Sequence, residues 1–557
     1  MSSSPAPRET WSSRPMFLAA AIGSAIGLGN IWRFPYIAYQ NGGGSFLIPY
    51  VIALVTGGVA MLFFDYAMGH RFRAAPPLAF ARVARWAESL GWVQTLITFF
   101  IAVYYMAVLA WAAFYTYYSV NLAWGDDPDT FFGSSFLHAD TSHVHTGEFL
   151  PSLTIVLAII WLVLLIVMSL GVEHGVGAVS KVAVPTLVLL FVAITLRAIT
   201  LPGASEGLNA LFTPDWSALT APSVWMAGYG QIFYSLAVGF GIMLTQASYL
   251  KRRTDVTTTA WTVAFANSSF EVLSGIAVFS ALGYMASQTG ASVDNVVSSG
   301  IGLAFIAFPK IISTMPGGPI FGVLFFGSLF LAGFTSMFSI IEVPISACMD
   351  KFALSRRRAV LLVGSVAAVF SLAFLPVTTG LATLDIMDKF INVTGIILVC
   401  VLTLVGVGWG CRMIPVLGRH LDAISTIKTT YWWPFCVGIL TPAIMAITFY
   451  GNIRELLAEP YEGYTSPQLW VYGWGLTAVI YVGALILTFL PWHKGVSMKT
   501  PEGFALGGVT HPGCTQCSDS DAGCDNPRHG VDGDDVLTDA DLDALTTESL
   551  DTVGARA

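Results

Sequence analysis

Five polar side chains share one chemistry and stand in otherwise apolar stretches. Asn30, Ser235, Asn267, Thr335 and Ser336 each carry a neutral oxygen. Polar groups inside lipid-embedded segments are costly, so they point to a ligand or a partner. Amide, hydroxyl and carbonyl oxygens suit a hard monovalent cation, and no His/Cys cluster in these stretches suits a transition metal. Ser24, Arg33, Gln231, Ser268, Ser269, Glu271, Glu342, Asp388 and Asn392 share the apolar setting. Any single Ser or Thr could instead bond back to its own helix. Their clustering on a few stretches favours a site.

Two of these stretches carry paired glycines. One reads Ser24-Ala-Ile-Gly-Leu-Gly29, the other Ser235-Leu-Ala-Val-Gly-Phe-Gly241. Each glycine weakens a helix by about 1 kcal/mol relative to alanine. Two interrupted segments at corresponding places mark a transporter built from two repeats, with its site at the breaks. Close helix packing through small residues explains the same glycines, and the glycines alone leave both readings open. At a break, free N–H groups at a helix start suit a carboxylate, while freed carbonyls suit a cation.

The elements that must position these groups are membrane helices. The 557-residue chain is 55% hydrophobic and only 11% charged, where a soluble domain carries about 25% charged residues. Runs long enough to cross a bilayer core lie at 16–37, 45–69, 92–122, 152–171, 179–199, 225–249, 259–288, 320–350, 356–376, 382–411, 432–451 and 469–491. The expected fold is an all-α membrane protein of about twelve helices. All but five of the 26 Lys and Arg residues (Arg33, Arg197, Lys310, Lys389 and Arg454) fall on one side if both termini are cytoplasmic, as the positive-inside rule requires. The first run matches a full span and holds polar residues, so we read it as a helix rather than a cleaved signal.

Residues 1–15 form a short polar arm, 16–491 the membrane domain, and 492–557 an acidic, polar tail expected to be disordered. Four cysteines lie in or beside spans, and no structural disulfide is expected. The spacing Cys514-x2-Cys517-x6-Cys524-x4-His529 could hold zinc. The tail lacks the apolar residues of a folded zinc module, so reduced thiols are the expectation.

The segments GSAIGLGNIWRFPYIAYQNGGGSFLIPY (23–50), GQIFYSLAVGFG (230–241), FANSSFEVLSG (265–275) and LAGFTSMFSIIEVP (331–344) resemble the neurotransmitter:sodium symporter family, including its bacterial leucine transporter. The likeness runs from Arg8 to about Pro491. It implies two inverted repeats, at about 16–199 and 225–411, with helices 1 and 6 broken. It implies one sodium site from the Ala25 carbonyl, Asn30, Ser235, Asn267 and the substrate carboxylate. A second would use carbonyls of Gly23, Ile26 and Ala332 with the hydroxyls of Thr335 and Ser336. The carboxylate would meet N–H groups near Leu28 and Gly29 and the Tyr105 hydroxyl. Ser24, Ile101, Tyr234, Ala237, Phe240 and Ile340 would form the side-chain pocket, and Ala25, Ser235 and Ser336 would also border the substrate.

Further positions follow from the same resemblance. Monoamine carriers place an aspartate where this chain has Gly27, which points here to an amino acid, and the apolar wall favours a neutral hydrophobic one. Glu271 stands where chloride-dependent relatives carry a small hydroxyl, implying transport without chloride. Arg33 and Asp388 would pair as an outer gate, capped by Tyr105 and Tyr234. Arg8 and Asp350 would pair as an inner gate, with Trp11 and Tyr249 around them. Gly175 and Pro185 bracket a stretch that unwinds in relatives.

The expected partners are an amino acid and the bilayer, with no nucleic acid, in a monomer or weak dimer. The expected place is a bacterial plasma membrane. A non-transporting amino-acid sensor and a symporter of another carboxylated solute fit the same residues. A membrane enzyme does not: HExxH and GxSxG are absent, and no nucleophile–base pair stands in mid-span.

Overall fold

A computed structural model describes residues 8–290, 300–501 and 503–504. Cys514, Cys517, Cys524 and His529 lie outside the described residues. Among the described residues the regular structure is helical, with two isolated bridges, Gly43–Pro214 and Phe149–Val377. Ten helices are long and apolar enough to cross a membrane, and a bent pair makes eleven.

We number the segments in chain order. The first is the bent pair Arg14–Ala25 and Leu28–Gln40, turned by 53°. The second to fifth are Gly44–Phe72, Arg85–Tyr118, Pro151–Ser169 and Val172–Ala198. The sixth consists of Pro222–Ser235 and Ile242–Ala247. The seventh to twelfth are Val256–Thr289, Gly318–Phe352, Arg356–Phe374, Gly380–Gly410, Trp432–Gly463 and Ser466–Phe489.

The run expected as one span over 225–249 is therefore two short helices. The cause is local. Ala237, Gly239 and Gly241 take φ values of +51°, +83° and +91°, a left-handed region that helices avoid and glycine tolerates. In the first segment Ile26 and Gly27 are extended, and Asn30 Oδ1 accepts a hydrogen bond from the Gly27 N–H at 2.9 Å. Both glycine pairs thus mark real interruptions.

The third and eighth segments pack against each other, and the eighth packs against the first, beside its break. The N-terminal arm and the chain beyond the twelfth segment lie at the same end, called here the terminal end. Both meet residues around Lys351: Arg8 bonds Asp350, and the His493 N–H donates to the Lys351 carbonyl.

The membrane domain extends past its expected boundary at Pro491. Trp492 Nε1 donates to Glu88 at 2.9 Å, and Arg82 donates twice to the Ser497 carbonyl. Arg73 lies over the Phe504 ring at 4.6 Å. Residues 492–501 and 503–504 are a docked strap, because two aromatic rings and a backbone carbonyl find basic and buried partners there.

Candidate functional site

The two breaks face each other across one cavity. Ser24, Ala25, Leu28 and Gly29 line it from the first segment, Tyr234, Ser235, Ala237 and Phe240 from the sixth. Ile101 and Tyr105 enter from the third segment, Ser336 and Ile340 from the eighth. These are the twelve residues that the sequence assigned to substrate, and the fold brings all of them together. No Asp, Glu, Lys or Arg lines the cavity among the described residues.

One wall is polar backbone. The helix starting at Leu28 directs its first N–H groups to the cavity, and Leu28 N–H donates to the Tyr105 hydroxyl at 3.4 Å. Such a helix start favours negative charge. Gly27 leaves room there: a Cβ would lie 3.3 Å from that hydroxyl and 3.5 Å from Ser336 Oγ. Gly29 is needed for contact, since any side chain would strike the Tyr234 ring. Ser24 Oγ is buried with no protein partner, a hydroxyl free to meet a ligand.

Beside this wall runs a chain of neutral oxygens. Asn30 Nδ2 donates to Asn267 Oδ1 at 2.8 Å, and Asn267 Nδ2 donates to Ser235 Oγ at 3.1 Å. The three side chains expected around one cation are thus in mutual contact, from the first, sixth and seventh segments. On the other flank, Ser336 Oγ donates to the Ser24 carbonyl at 3.1 Å. Thr335 Oγ1 bonds back to the Leu331 and Ala332 carbonyls. A Cβ on Gly23 would lie 3.6 Å from Thr335 Oγ1. Gly23, Thr335, Ser336 and the Ala332 carbonyl therefore converge between the first and eighth segments, and Ile26 is buried in the adjoining break.

Glu271 is fully buried. Its carboxylate accepts from Gln231 Nε2 at 2.6 Å and from the Tyr50 hydroxyl. It lies four residues after Asn267 on the same helix, so a buried carboxyl group stands beside the oxygen chain.

The two ends of the cavity differ. At the terminal end, Arg8 donates to both Asp350 oxygens at 2.8 and 3.0 Å, to Ser346 Oγ at 2.7 Å and to Ser248 Oγ at 3.0 Å. Its guanidinium lies 4.7 Å above the Tyr249 ring. Burial works against this charge, but Asp350 and Tyr249 outweigh it and hold the Arg8 pKa above its ordinary value. Trp11 is buried, with its N–H bonded to the Tyr249 carbonyl. Tyr249 in turn donates to Glu342, which pairs with Arg356 at 2.7 Å.

At the far end, the expected Arg33–Asp388 pair is absent. Arg33 stacks on Tyr234 at 4.4 Å, and Asp388 accepts from Tyr104 at 2.7 Å. Both line an open depression of about 470 Å³. Their charged atoms do not come within 4.0 Å, and each group takes an aromatic partner instead. Tyr104, rather than Tyr105, holds Asp388.

The expected unwinding around Gly175 and Pro185 is also absent. Both lie inside the continuous helix Val172–Ala198. The N-terminal arm holds its start, because Glu9 accepts from the Val172 N–H at 2.8 Å. Trp11 and Met16 pack against Gly177.

The family model described as the sodium:neurotransmitter symporter family matches residues 8–131 and 126–494. The chain belongs to this family. It is 36% identical over 492 residues to an uncharacterised sodium-dependent transporter of Methanocaldococcus jannaschii, covering 88% of this chain and 99% of that protein. It is 30% identical to the sodium-dependent serotonin transporter of Drosophila melanogaster, over 84% of this chain and 80% of the relative. It is 28% identical to the human sodium- and chloride-dependent neutral and basic amino acid transporter B(0+), over 84% and 83%. As a family member, the chain is a multi-pass, sodium-dependent membrane transporter and not an enzyme.

Sequence reasoning missed several residues at this symporter's cavity. Tyr104, Asn392 and Ile396 line it as well. Asn392 stands out in the sequence as polar in an apolar run, but without a place in the substrate site. Tyr104 had none beyond its neighbour Tyr105, and Ile396 is indistinguishable from lipid-facing residues in the sequence.

Proposed function

We propose that this chain carries a neutral, hydrophobic amino acid into the cell by alternating access, coupled to two sodium ions and without chloride. One observation carries the reading. The cavity is uncharged, yet one wall offers helix-start N–H groups and the other apolar side chains, Ile101, Ala237, Phe240 and Ile340. A carboxylate at Leu28 and Gly29 brings a negative charge beside the Asn30–Asn267–Ser235 oxygens. A cation there balances it, so neither binds well alone.

Glu271 supplies the fixed negative charge that chloride would otherwise bring. The sealed Arg8–Asp350 end faces the cytoplasm, and the open Arg33–Asp388 end faces outward. Both termini are then cytoplasmic, in a plasma membrane of bacterial type. Two inverted repeats over 16–199 and 225–411 account for the paired breaks.

The test is uptake by purified protein in proteoliposomes under an inward sodium gradient, screened over labelled common amino acids. Sodium-dependent accumulation of leucine-like substrates is expected. Binding without accumulation would make the protein a sensor. Accumulation only of carboxylated solutes lacking an amino group would refute the amino-acid assignment.

A further inference from the structure

Asp65 is an acidic side chain to which transport of sodium and an amino acid assigns no task. It lies within the second segment and is 3% exposed. Its Oδ2 accepts from the Gly239 N–H at 2.9 Å. Gly239 sits in the break of the sixth segment, at φ +83°. The carbonyl of that same residue accepts from Gln94 Nε2 at 3.1 Å. The break is thus held from two sides, by a titratable carboxylate and by an amide.

Asp65 forms no ion pair among the described residues. The titratable groups near it are Tyr66 on its own helix and Cys400 of the tenth segment. The Tyr66 hydroxyl turns to Met243 Sδ at 3.7 Å. Cys400 packs on Gly239, where a Cβ would lie 3.1 Å from its sulfur. Neither group carries charge at neutral pH.

A buried carboxylate without a cation keeps its charge only through hydrogen bonds to the charged form. Here that support is one N–H, and it belongs to a stretch where Ala237, Gly239 and Gly241 all have positive φ. Alternating access requires the breaks to rearrange. When Gly239 N–H withdraws, the carboxylate loses its donor and the neutral acid becomes the stable form. An O–H bond then forms with a proton from water, and the same proton returns to water when the N–H comes back.

We propose that Asp65 is a proton-exchange site read out by the Gly239 N–H, loaded when the sixth-segment break rearranges and emptied in the geometry seen here. The proposal rests on the transporter reading only in expecting that rearrangement. It makes the proton a second coupled ion.

The test uses the purified full-length protein in weakly buffered detergent solution with a pH-indicator dye. Sodium chloride is added, with choline chloride as the control, and sodium binding is followed in parallel. The Asn30, Asn267 and Ser235 oxygens are already assembled in this geometry, so sodium binding is expected to stabilise it and the wild type to release up to about one proton per chain. Asp65→Asn keeps an oxygen for the Gly239 N–H and cannot titrate. It is expected to bind sodium within about twofold of wild type and to release no proton.

Release that survives in Asp65→Asn, or no release in the wild type, overturns the proposal. Should Asp65→Asn fail to fold, Asp65→Glu keeps a titratable group on a longer arm. The pH at which it releases the proton should then shift, and an unchanged value overturns the proposal. Accumulation of labelled leucine in proteoliposomes is scored separately. Its absence with proton release intact counts against the transport reading and leaves the proton site standing.

Discussion

Arg8 and Asp350 are joined by two hydrogen bonds, at 2.8 and 3.0 Å, across the terminal end of the cavity. The carboxylate accepts a third, from the Ala75 N–H at 2.7 Å. The arm, the eighth segment and the loop after the second segment are therefore tied at one point. The far end has no such tie. A cavity sealed at one end and open at the other is one of the two states that alternating access requires.

Breaking the tie should shift that equilibrium. Removing one partner of a largely buried pair leaves the other charge uncompensated, a cost of about 3–5 kcal/mol. Arg8→Ala and Asp350→Ala should each lower sodium-driven uptake at least tenfold. A cysteine placed at Ala25 should become reactive to reagents added from the terminal end. Unchanged reactivity would mean that this contact does not hold the cavity shut.

Glu271 should decide the chloride requirement. With Glu271→Ser, the Tyr50 hydroxyl, Gln231 amide and new serine surround a small polar space with no fixed charge. Uptake should then fall at least tenfold in chloride-free gluconate medium and recover when chloride is added, while the wild type is indifferent to the exchange. Wild-type uptake that itself needs chloride would remove Glu271 from this role.

How far the site was legible follows from what makes each residue visible. Asn30, Asn267 and Thr335 stood out because a polar side chain in an apolar run needs a reason. The glycine pairs stood out because they weaken helices, though only the backbone shows Ala237 sharing the left-handed conformation. The motif segments hold ten of the twelve residues expected around the substrate, and Ile101 and Tyr105 followed from the wider resemblance. Pairings were a different matter. Arg33 and Asp388 have the right charges, but whether they meet depends on which end is open, and one sequence encodes both states. The wound helix around Pro185 is the same case, since Glu9 and Trp11 reach it only while the arm is docked.

The sodium oxygens should show up in ion affinity rather than in protein yield. Asn267→Ala removes an amide that touches both Asn30 and Ser235. A lost ligand to a charged group is worth about 1.5–3 kcal/mol. The sodium concentration for half-maximal uptake should rise at least tenfold, and Ser235→Thr, which keeps the hydroxyl, should change it little. Equal sodium dependence in Asn267→Ala and wild type would place the cation elsewhere.

Gly27 should act as the selectivity position. An aspartate there would put its carboxylate where Tyr105, Ser336 and the Leu28 N–H converge. It would compete with the carboxylate of an amino acid and repel it. Gly27→Asp should cut amino-acid binding about 100-fold, or 2.7 kcal/mol, while sodium binding persists. Retained leucine uptake would show that the carboxylate docks away from the first break.

The docked strap makes truncation position-dependent. The sequence reads residues 492–557 as a disordered tail, but Trp492, Ser497 and Phe504 bond or pack against the membrane domain. The Glu88–Lys351 pair, at 2.6 Å and fully buried, is completed by the Trp492 N–H, and the Lys351 ammonium lies 4.3 Å from the Trp492 ring. Removing Trp492 opens that pair to water, and ending the chain after Pro491 also frees Arg82 and Arg73 from Ser497 and Phe504. Ending the chain after Phe504 should leave uptake within about twofold of wild type, since no described contact is lost. Ending it after Pro491 should lower both uptake and the midpoint of thermal unfolding, and Trp492→Ala should reproduce part of the loss. Equal behaviour of the two truncations would show that the strap rests on the protein without supporting it.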